Sequence, residues 1–408
     1  MLLLITQSVA NLFFIFALFP FVSFGLNDMD TQPFFIVIGV FSIILFFLTG
    51  KVHKTILYLL IFMFLTLFIL LIKASNIDFI LLRGFASYTA FFITLMVSIE
   101  YFRRYGLPIK TIVWSNIIYL LVAIIQTFSG SHRQDVFNFL VIPNSFWNPS
   151  RGVIGLTPEP TTFAILLFFL SWVYLIIYDY QPSSKIKLLV IANIMTILFL
   201  TKSSMVFVFL LVAAFFYLIK NIKKKKLYLL LIVTFLFFYA YIYLMPYLFP
   251  TSRFVNLSIV LGGLEEGYFD RLKIIIHFDS SINDRVLNAI FPYFGFLANY
   301  GLPGGVHSFF DMSRYLVGYF DGYFWAGLGS NKILSFAGAF IYELGLFGVI
   351  CIIYMYGLLR DKLNPNRLIE LFFLFVLLNS SIPVSFPLIS IMMAIMYYKK
   401  NNHQNYLT

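Results

Sequence analysis

Only one cysteine, Cys351, occurs in 408 residues. It lies inside an apolar run, so no intramolecular disulfide can form and no thiolate cluster is on offer. Paired His or Cys ligands, an HExxH helix and a nucleotide-binding P-loop are all missing. The Gly-rich piece Gly301-Leu-Pro-Gly-Gly305 lacks the lysine of a nucleotide loop. Charge is scarce: 11% of the residues are Asp, Glu, Lys or Arg, against roughly 25% in soluble domains. With 61% hydrophobic residues and a mean hydropathy of +0.93, the chain is excluded from the water-soluble class. Its apolar runs are apolar on every side rather than alternating, which excludes a membrane β-barrel. Within those runs ionisable residues are nearly absent. Glu343 lies inside one run, Lys202 at a tight turn between two, and Glu100 at a run's end, where snorkelling accounts for it. Ion-coupled transporters keep such groups at mid-membrane, so a pump or a nucleotide-driven machine is disfavoured.

What is present suits lipid. A helix crossing ~30 Å of hydrocarbon needs about 20 apolar residues. Such runs fall near 3–25, 33–50, 55–72, 85–102, 111–128, 160–178, 187–201, 204–219, 227–249, 333–358, 367–381 and 384–398. They predict an all-α integral membrane protein of about 12 transmembrane helices, a single polytopic domain over residues 1–408. Because the N-terminus has no basic n-region and no clear cleavage site, the first run reads as a retained span. A formal charge of +11 would suggest nucleic acid in a soluble protein, but here it sits in topology signals and no nucleic-acid partner is implied. Basic residues cluster at alternate connections. The clusters are Lys51 and Lys54; Arg103, Arg104 and Lys110; Lys185 and Lys187; Lys220, Lys223, Lys224, Lys225 and Lys226; Arg360, Lys362 and Arg367; and Lys399 with Lys400. The positive-inside rule makes that side cytoplasmic and places both termini there.

The opposite side carries the long connections, residues 129–158 and 250–332, the second between the ninth and tenth spans. At roughly 80 residues that second loop far exceeds a usual connection. Aromatic and aliphatic residues run through it, so it reads as an ordered cap over an active site, with amphipathic helices at the interface in 270–299. Ionisable residues gather in these two loops. The shorter holds His132, Arg133, Asp135, Arg151 and Glu159; the longer holds Arg253, Glu265, Glu266, Asp270, Arg271, His277, Arg285, His307, Asp311 and Arg314. No ATP or sugar nucleotide is available on that face, so bond formation needs a substrate that arrives already activated in the lipid. A polyprenyl-diphosphate-linked saccharide meets that condition. Its breakdown leaves a diphosphate, which a planar guanidinium binds through paired hydrogen bonds. A carboxylate or a neutral His takes the proton from the attacking hydroxyl. Loop tyrosines offer stacking faces to sugars, although interfacial Tyr is common in any membrane protein.

The segment Arg151-Gly-Val-Ile-Gly-Leu-Thr-Pro-Glu159-Pro, running into a span and followed by Thr161, resembles the outer-loop signature of bacterial O-antigen polymerases. Thr201-Lys-Ser-Ser204 in a tight turn, Asp279-Ser-Ser281-Ile-Asn-Asp-Arg285, and Gly327-Leu-Gly329 ahead of Tyr342-Glu343-Leu-Gly345 agree with that family. The resemblance implies a multi-span glycosyltransferase of the bacterial inner membrane. It would polymerise undecaprenyl-diphosphate-linked oligosaccharide repeat units into O-antigen or capsular polysaccharide on the periplasmic face. Membrane lipid, a chain-length regulator and a flippase of the same pathway are its implied partners; no cofactor and no metal is implied. O-antigen ligases, which transfer lipid-linked glycan to lipid A-core, share the architecture and an outer-loop His, and remain the near alternative. A flippase of such lipids is the other, though it should have similar halves and charged spans. Within this reading Arg151 and Arg285 lead as diphosphate ligands, with Arg253, Arg271, Arg314 and Lys202 behind them. The alternative for each Arg is a loop salt bridge, and for Lys202 a marker of the water interface. Glu159 orients Arg151 or helps activate the acceptor, unless it only stabilises a helix N-terminus. His307 is the candidate base, unless it is simply solvated.

Overall fold

The computed structural model describes residues 1–23, 31–129, 140–141, 152–203, 209–210, 212–214, 274, 276–277, 280–325, 331–361, 364, 366–380 and 382–405. Among the described residues every regular element is a helix. In chain order these are α1 (Leu2–Leu18), α2 (Phe34–Thr49), α3 (Lys54–Ile72), α4 (Phe79–Tyr105), α5 (Ile109–Phe128), α6 (Pro160–Ile177) and α7 (Ser184–Met195), which continues into a π-helical turn, Thr196–Leu200. Further along the chain come α8 (Ser280–Ala298), α9 (Phe309–Tyr319), α10 (Phe336–Leu344), α11 (Leu346–Leu359), α12 (Asn366–Leu378) and α13 (Pro387–Asn405). Four of them, α3, α4, α5 and α6, are long and apolar enough to cross a membrane; α1, α2 and α11 are apolar but shorter. Most of the runs at 204–219 and 227–249 lies outside the described residues. The chain divides into two compact units, residues 1–20, 27–112 and 276–408 in the first and 21–26 with 113–275 in the second.

In the first unit α4 is the central helix. Asp78 starts it: Oδ1 accepts from the Leu81 amide at 3.1 Å, satisfying one of the orphan N–H groups of the first turn. Gly106, at φ 78°, ends it in the left-handed region. Every residue from Ala90 to Phe102 is buried, because α1, α2, α3 and α13 all pack on it. Gly39 permits the close approach of α2, since a Cβ there would lie 2.4 Å from Ile93 Cγ2 and 3.1 Å from the Phe13 ring. On α3 the buried stripe is Thr55, Ile56, Leu59, Met63, Thr66 and Leu70. Its other face (Leu57, Ile61, Phe64, Phe68 and Ile72) is equally apolar and exposed. A helix facing water would be polar there; a helix facing lipid would not.

At the basic end of α4, Glu100 does not snorkel. Its side chain is 1% exposed and held by both neighbouring arginines. Arg104 Nε donates to Oε1 at 2.6 Å and Arg103 Nε to Oε2 at 3.2 Å, while the His53 amide donates to Oε2 at 3.3 Å. Arg104 also donates to Thr49 Oγ1 and Phe46 O, and Arg103 to Lys51 O, so the cluster caps one carbonyl of the last turn of α2 and one just beyond it. Lys400 donates to Leu358 O at 2.9 Å, doing the same for α11. Four of the basic connections predicted to share a side therefore cluster at helix ends of one unit. Asp78 lies 22 residues before Glu100 on the same helical path, or roughly 33 Å, about the thickness of a hydrocarbon core.

The apolar run at 333–358 is not one helix. It breaks at Gly345, whose φ of 61° favours glycine and whose added Cβ would meet Gly301 O at 2.5 Å. The Gly-rich piece supplies the bonds lost at the break: Gly304 N and Gly305 N donate to Tyr342 O and Glu343 O, and Leu346 N donates to Gly301 O. In α8, Pro292 has no N–H for the carbonyl of Asn288; Ser335 Oγ donates to that oxygen at 2.8 Å instead. Leu287 and Phe291 are wholly buried where α8 packs against α10.

In the second unit α6 is enclosed along its length, with every residue from Phe163 to Tyr174 buried. A polar junction crosses it. Asn116 and Asn193 exchange amide hydrogen bonds at 3.0 Å each, and Asn193 donates to Ser171 Oγ at 3.0 Å. Such bonds join helices where no water is at hand.

Candidate functional site

In the second unit the structure brings together two segments separated by about 40 residues of sequence. Residues 152–159 dock on the end of the π-helical turn. Val153 N donates to Leu200 O at 2.9 Å, and a Cβ on Gly152 would lie 2.2 Å from that same oxygen. Only glycine fits. The Gln126 side chain brackets the next glycine: its Nε2 donates to Gly155 O and its Oε1 accepts from Gly155 N, at 3.0 and 2.8 Å. Gly155 has φ 58°, and a Cβ there would strike the Phe163 ring at 2.7 Å. Thr157 Oγ1 bonds Ile154 O at 2.7 Å and closes the turn. Glu159 then stands at the N-cap of α6, followed by Pro160 at the first helical position, where a missing N–H costs nothing. Its Oε1 accepts from Thr162 Oγ1 at 3.3 Å. Ser203 Oγ, one residue beyond Lys202, donates to Thr161 Oγ1 at 3.3 Å.

Lys202 adopts φ 49°, a left-handed conformation uncommon for a side-chain-bearing residue. It fixes the reversal after the π-helical turn, next to the docked segment. Glu159 and Lys202, predicted separately, thus belong to one local assembly, as do Thr161 and Ser203. Arg151, predicted beside them, lies outside the described residues, as do Arg253 and Arg271.

The remaining predicted residues belong to the first unit. His307 Nε2 lies 2.9 Å from Asp78 Oδ1, the residue that caps α4. That hydrogen bond, with the Leu81 amide, holds the Asp78 carboxyl below the usual carboxylate range. With Asp78 ionised the carboxylate only accepts, so Nε2 is the donor. Nδ1 is buried and meets no polar group, so the ring pins the loop before α9 to the start of α4. Val306, next to it, occupies the space that Gly84 leaves open, 2.8 Å from where a Cβ would stand. Tyr342 fills a slot between Gly295 and Gly304 and shares a 2.8 Å hydrogen bond with Ser308 Oγ. Arg314 lies over the Phe310 ring, 4.3 Å from its centroid, on one face of α9. Arg285 projects from α8.

Sequence reasoning passed over a cavity of about 40 Å³ at the Asp78 end of α4. Arg83, Ser87, Tyr88, Asn331, Lys332 and Glu343 give it its polar lining. Tyr88 Oη donates to Glu343 Oε2 at 2.8 Å. Asn331 Oδ1 accepts from the Phe310 amide, fixing the 331–333 wall to α9. The available signal was Arg83, a lone cation five residues into a capped helix, and Glu343, the one carboxylate inside the run at 333–358. Among the described residues no three His, Cys, Asp or Glu side chains converge as metal ligands.

Comparison with protein-family models, with curated proteins and with solved structures finds no match to this chain.

Proposed function

We propose that this chain polymerises undecaprenyl-diphosphate-linked oligosaccharide repeat units on the periplasmic face of a bacterial inner membrane. In this reading the about 12 apolar runs are spans, both termini are cytoplasmic, and the loops at 129–158 and 250–332 face outward. The observation that carries the proposal is the docking of residues 152–159 on the Leu200–Ser203 turn, through Val153, Gly152 and the Ser203–Thr161 hydrogen bond. Two separate pieces of the O-antigen polymerase resemblance become one surface at a helix start.

The chemistry follows from the residues assembled there. An acceptor hydroxyl attacks the anomeric carbon of the donor; the new C–O bond forms as the bond to the diphosphate breaks and its electron pair leaves with phosphate. Lys202, and Arg151 in the residue next to the clamped Gly152, stabilise the charge that builds on that leaving group. Glu159 receives or relays the hydroxyl proton, or holds Arg151 in line. In the first unit Arg285 and Arg314 are further candidate phosphate contacts.

The second reading is the O-antigen ligase, whose resemblance includes an outer-loop His; His307 is the candidate, although its Nε2 is held by Asp78 and its Nδ1 is buried, so proton transfer there requires the pair to open. Purified protein in liposomes with lipid-linked repeat units separates the two. A polymerase lengthens the lipid-linked glycan and releases one polyprenyl diphosphate per bond formed without lipid A-core. Release only when lipid A-core is added makes it the ligase, and no consumption under either condition removes both.

A further inference from the structure

We propose that the second half of α8 and the turn after it, residues 289–306, form a re-entrant segment. It enters the bilayer from the Asp78 end of α4, meets lipid acyl chains at its tip and leaves on the same side. The proposal rests on the chain being an integral membrane protein and not on the polymerase reading.

The sequence of α8 is graded along its axis. Ser280, Asn283, Asp284, Arg285 and Asn288 fall in its first half. Ala289-Ile-Phe-Pro-Tyr-Phe-Gly-Phe-Leu-Ala298 follows, where the one polar side-chain group is the Tyr293 hydroxyl, bonded to Asn379. Ten such residues rise about 15 Å, half of what a span needs.

Contacts from both ends of α4 set the depth of the turn. Tyr88, ten residues or about 15 Å past Asp78, donates to Glu343 Oε2. Gly304 N and Gly305 N donate to Tyr342 O and Glu343 O at 2.9 and 3.1 Å. At the basic end, Tyr398 of α13 packs on Phe102 and Lys400 donates to Leu358 O, so α11 ends close to the level of α4. Leu346 stands 12 residues before Leu358, about 18 Å along α11, and its amide donates to Gly301 O at 2.9 Å. With roughly 33 Å between Glu100 and Asp78, both measures put the turn roughly 15 Å inside the Asp78 end. His307 meets Asp78 six residues after Gly301, a climb within the roughly 20 Å that six extended residues reach.

The turn is built for hydrocarbon. Tyr300 and Gly301 make the reversal at φ 54° and 77°. From Asn299 to Gly305 every backbone N–H is paired, Pro303 having none. Irregular backbone at membrane depth requires that satisfaction. The Asn299 side chain meets the Tyr342 hydroxyl. Phe294, Leu297, Tyr300 and Leu302 are what the tip exposes, where a turn in water would show Asn, Asp or Ser. The patch is continuous with a lipid-facing one. A Cβ on Gly301 would lie 3.2 Å from Leu346 Cγ, and Leu346 begins the exposed stripe Leu346, Ile350 and Ile353 of α11. The other side of α11 (Gly348, Cys351, Met355 and Leu359) is buried. Phe347 and Tyr354 pack on Phe62 of α3, whose outer face is equally apolar. Acyl chains therefore cover the stripe and the tip alike.

The test is nitroxide accessibility in the purified full-length chain in liposomes. In a Cys351→Ser background, Leu297→Cys and Leu302→Cys report the tip. Phe64→Cys on the outer face of α3 and Ile77→Cys beside Asp78 are the references. Oxygen enters hydrocarbon, whereas a polar nickel chelate stays in water. The tip labels are expected to match Phe64→Cys, with an oxygen-to-nickel ratio several-fold above that of Ile77→Cys. Nickel access at both tip positions equal to that at Ile77→Cys, with Phe64→Cys still in lipid, overturns the proposal and leaves the membrane reading standing. Nickel access at Phe64→Cys as well overturns both. Protection of the tip from both reagents means that protein covers it, and overturns the proposal too. Should Cys351→Ser fail to fold, the buried Cys351 stays in place and the unsubstituted chain serves as the labelling blank.

Discussion

Replacing Glu100 by Gln removes the anion from the cluster at the basic end of α4 while keeping its shape. The side chain is 1% exposed, and both oxygens accept hydrogen bonds from charged or backbone donors. Taking away one member of a buried ion pair costs about 3–5 kcal/mol, because the other charge stays behind unpaired. Here the two arginines differ. Arg103 is 43% exposed and turns to water, whereas Arg104 is 12% exposed and remains tied to Thr49 Oγ1 and Phe46 O. Those two bonds soften the loss, so Glu100→Gln is expected near the lower bound, about 3 kcal/mol. Arg103→Gln should cost no more than about 1 kcal/mol, as for an exposed pair. Arg104→Gln also frees the C-terminal carbonyl of α2, and should cost about 2 kcal/mol. The Glu100→Gln, Arg104→Gln double variant should lose less than the sum of the two, by about 1–3 kcal/mol. Equilibrium unfolding of the purified variants in mixed micelles, followed by helical circular dichroism, measures all four. A Glu100→Gln protein within about 1 kcal/mol of wild type, or Arg103→Gln as costly as Arg104→Gln, would refute the assignment of Glu100 as the buried centre.

Three further outcomes follow from local geometry. Gly152→Ala places a Cβ 2.2 Å from Leu200 O, so it should undock residues 152–159 and abolish glycan polymerisation in a complementation assay; wild-type polymer would show that the docking is dispensable. Asn116→Leu strands the amide of Asn193 and should cost about 1–2 kcal/mol in micelle unfolding, with Asn116→Leu, Asn193→Leu recovering part of it; a double variant worse than the sum would contradict the pair. The Asp78 carboxyl is held below its usual range by His307, so the pair contributes stability that is fully present above the unfolded value of about 4. That contribution disappears as pH falls through the lowered folded value, and Asp78→Asn should flatten this part of the stability–pH curve. An unchanged curve would mean that the pair carries no linkage.

The helices were legible because apolar runs of span length leave little choice in a chain with 11% charge. The run at 333–358 misled for a physical reason. Hydropathy does not register Gly345, whose left-handed backbone is supported by three hydrogen bonds between residues 301–305 and 342–346, about 40 positions apart. The same piece, which lacks the lysine of a nucleotide loop, is a splint for the broken helix. Glu159 and Lys202 were legible as separate motifs, but their common assembly depends on Gly152 and Gln126, which carry no catalytic signature. Arg83 and Tyr88 were passed over because each is ordinary in isolation. Only the packing of α4 against α10 and the 331–333 segment makes a lining of them. Glu100 was misread as snorkelling, since its position at a run's end does not reveal that Arg103, Arg104 and His53 enclose it.

The polymerase reading is tested most directly by deleting the gene in its native host and separating the surface glycolipids by gel electrophoresis, with plasmid-borne wild type as the control. The account predicts that the ladder of repeat units collapses to core bearing a single unit, and that the wild-type plasmid restores it. Bare core with long polymer still attached to undecaprenyl diphosphate would contradict polymerisation in favour of ligation, and single units trapped on the cytoplasmic face would contradict both.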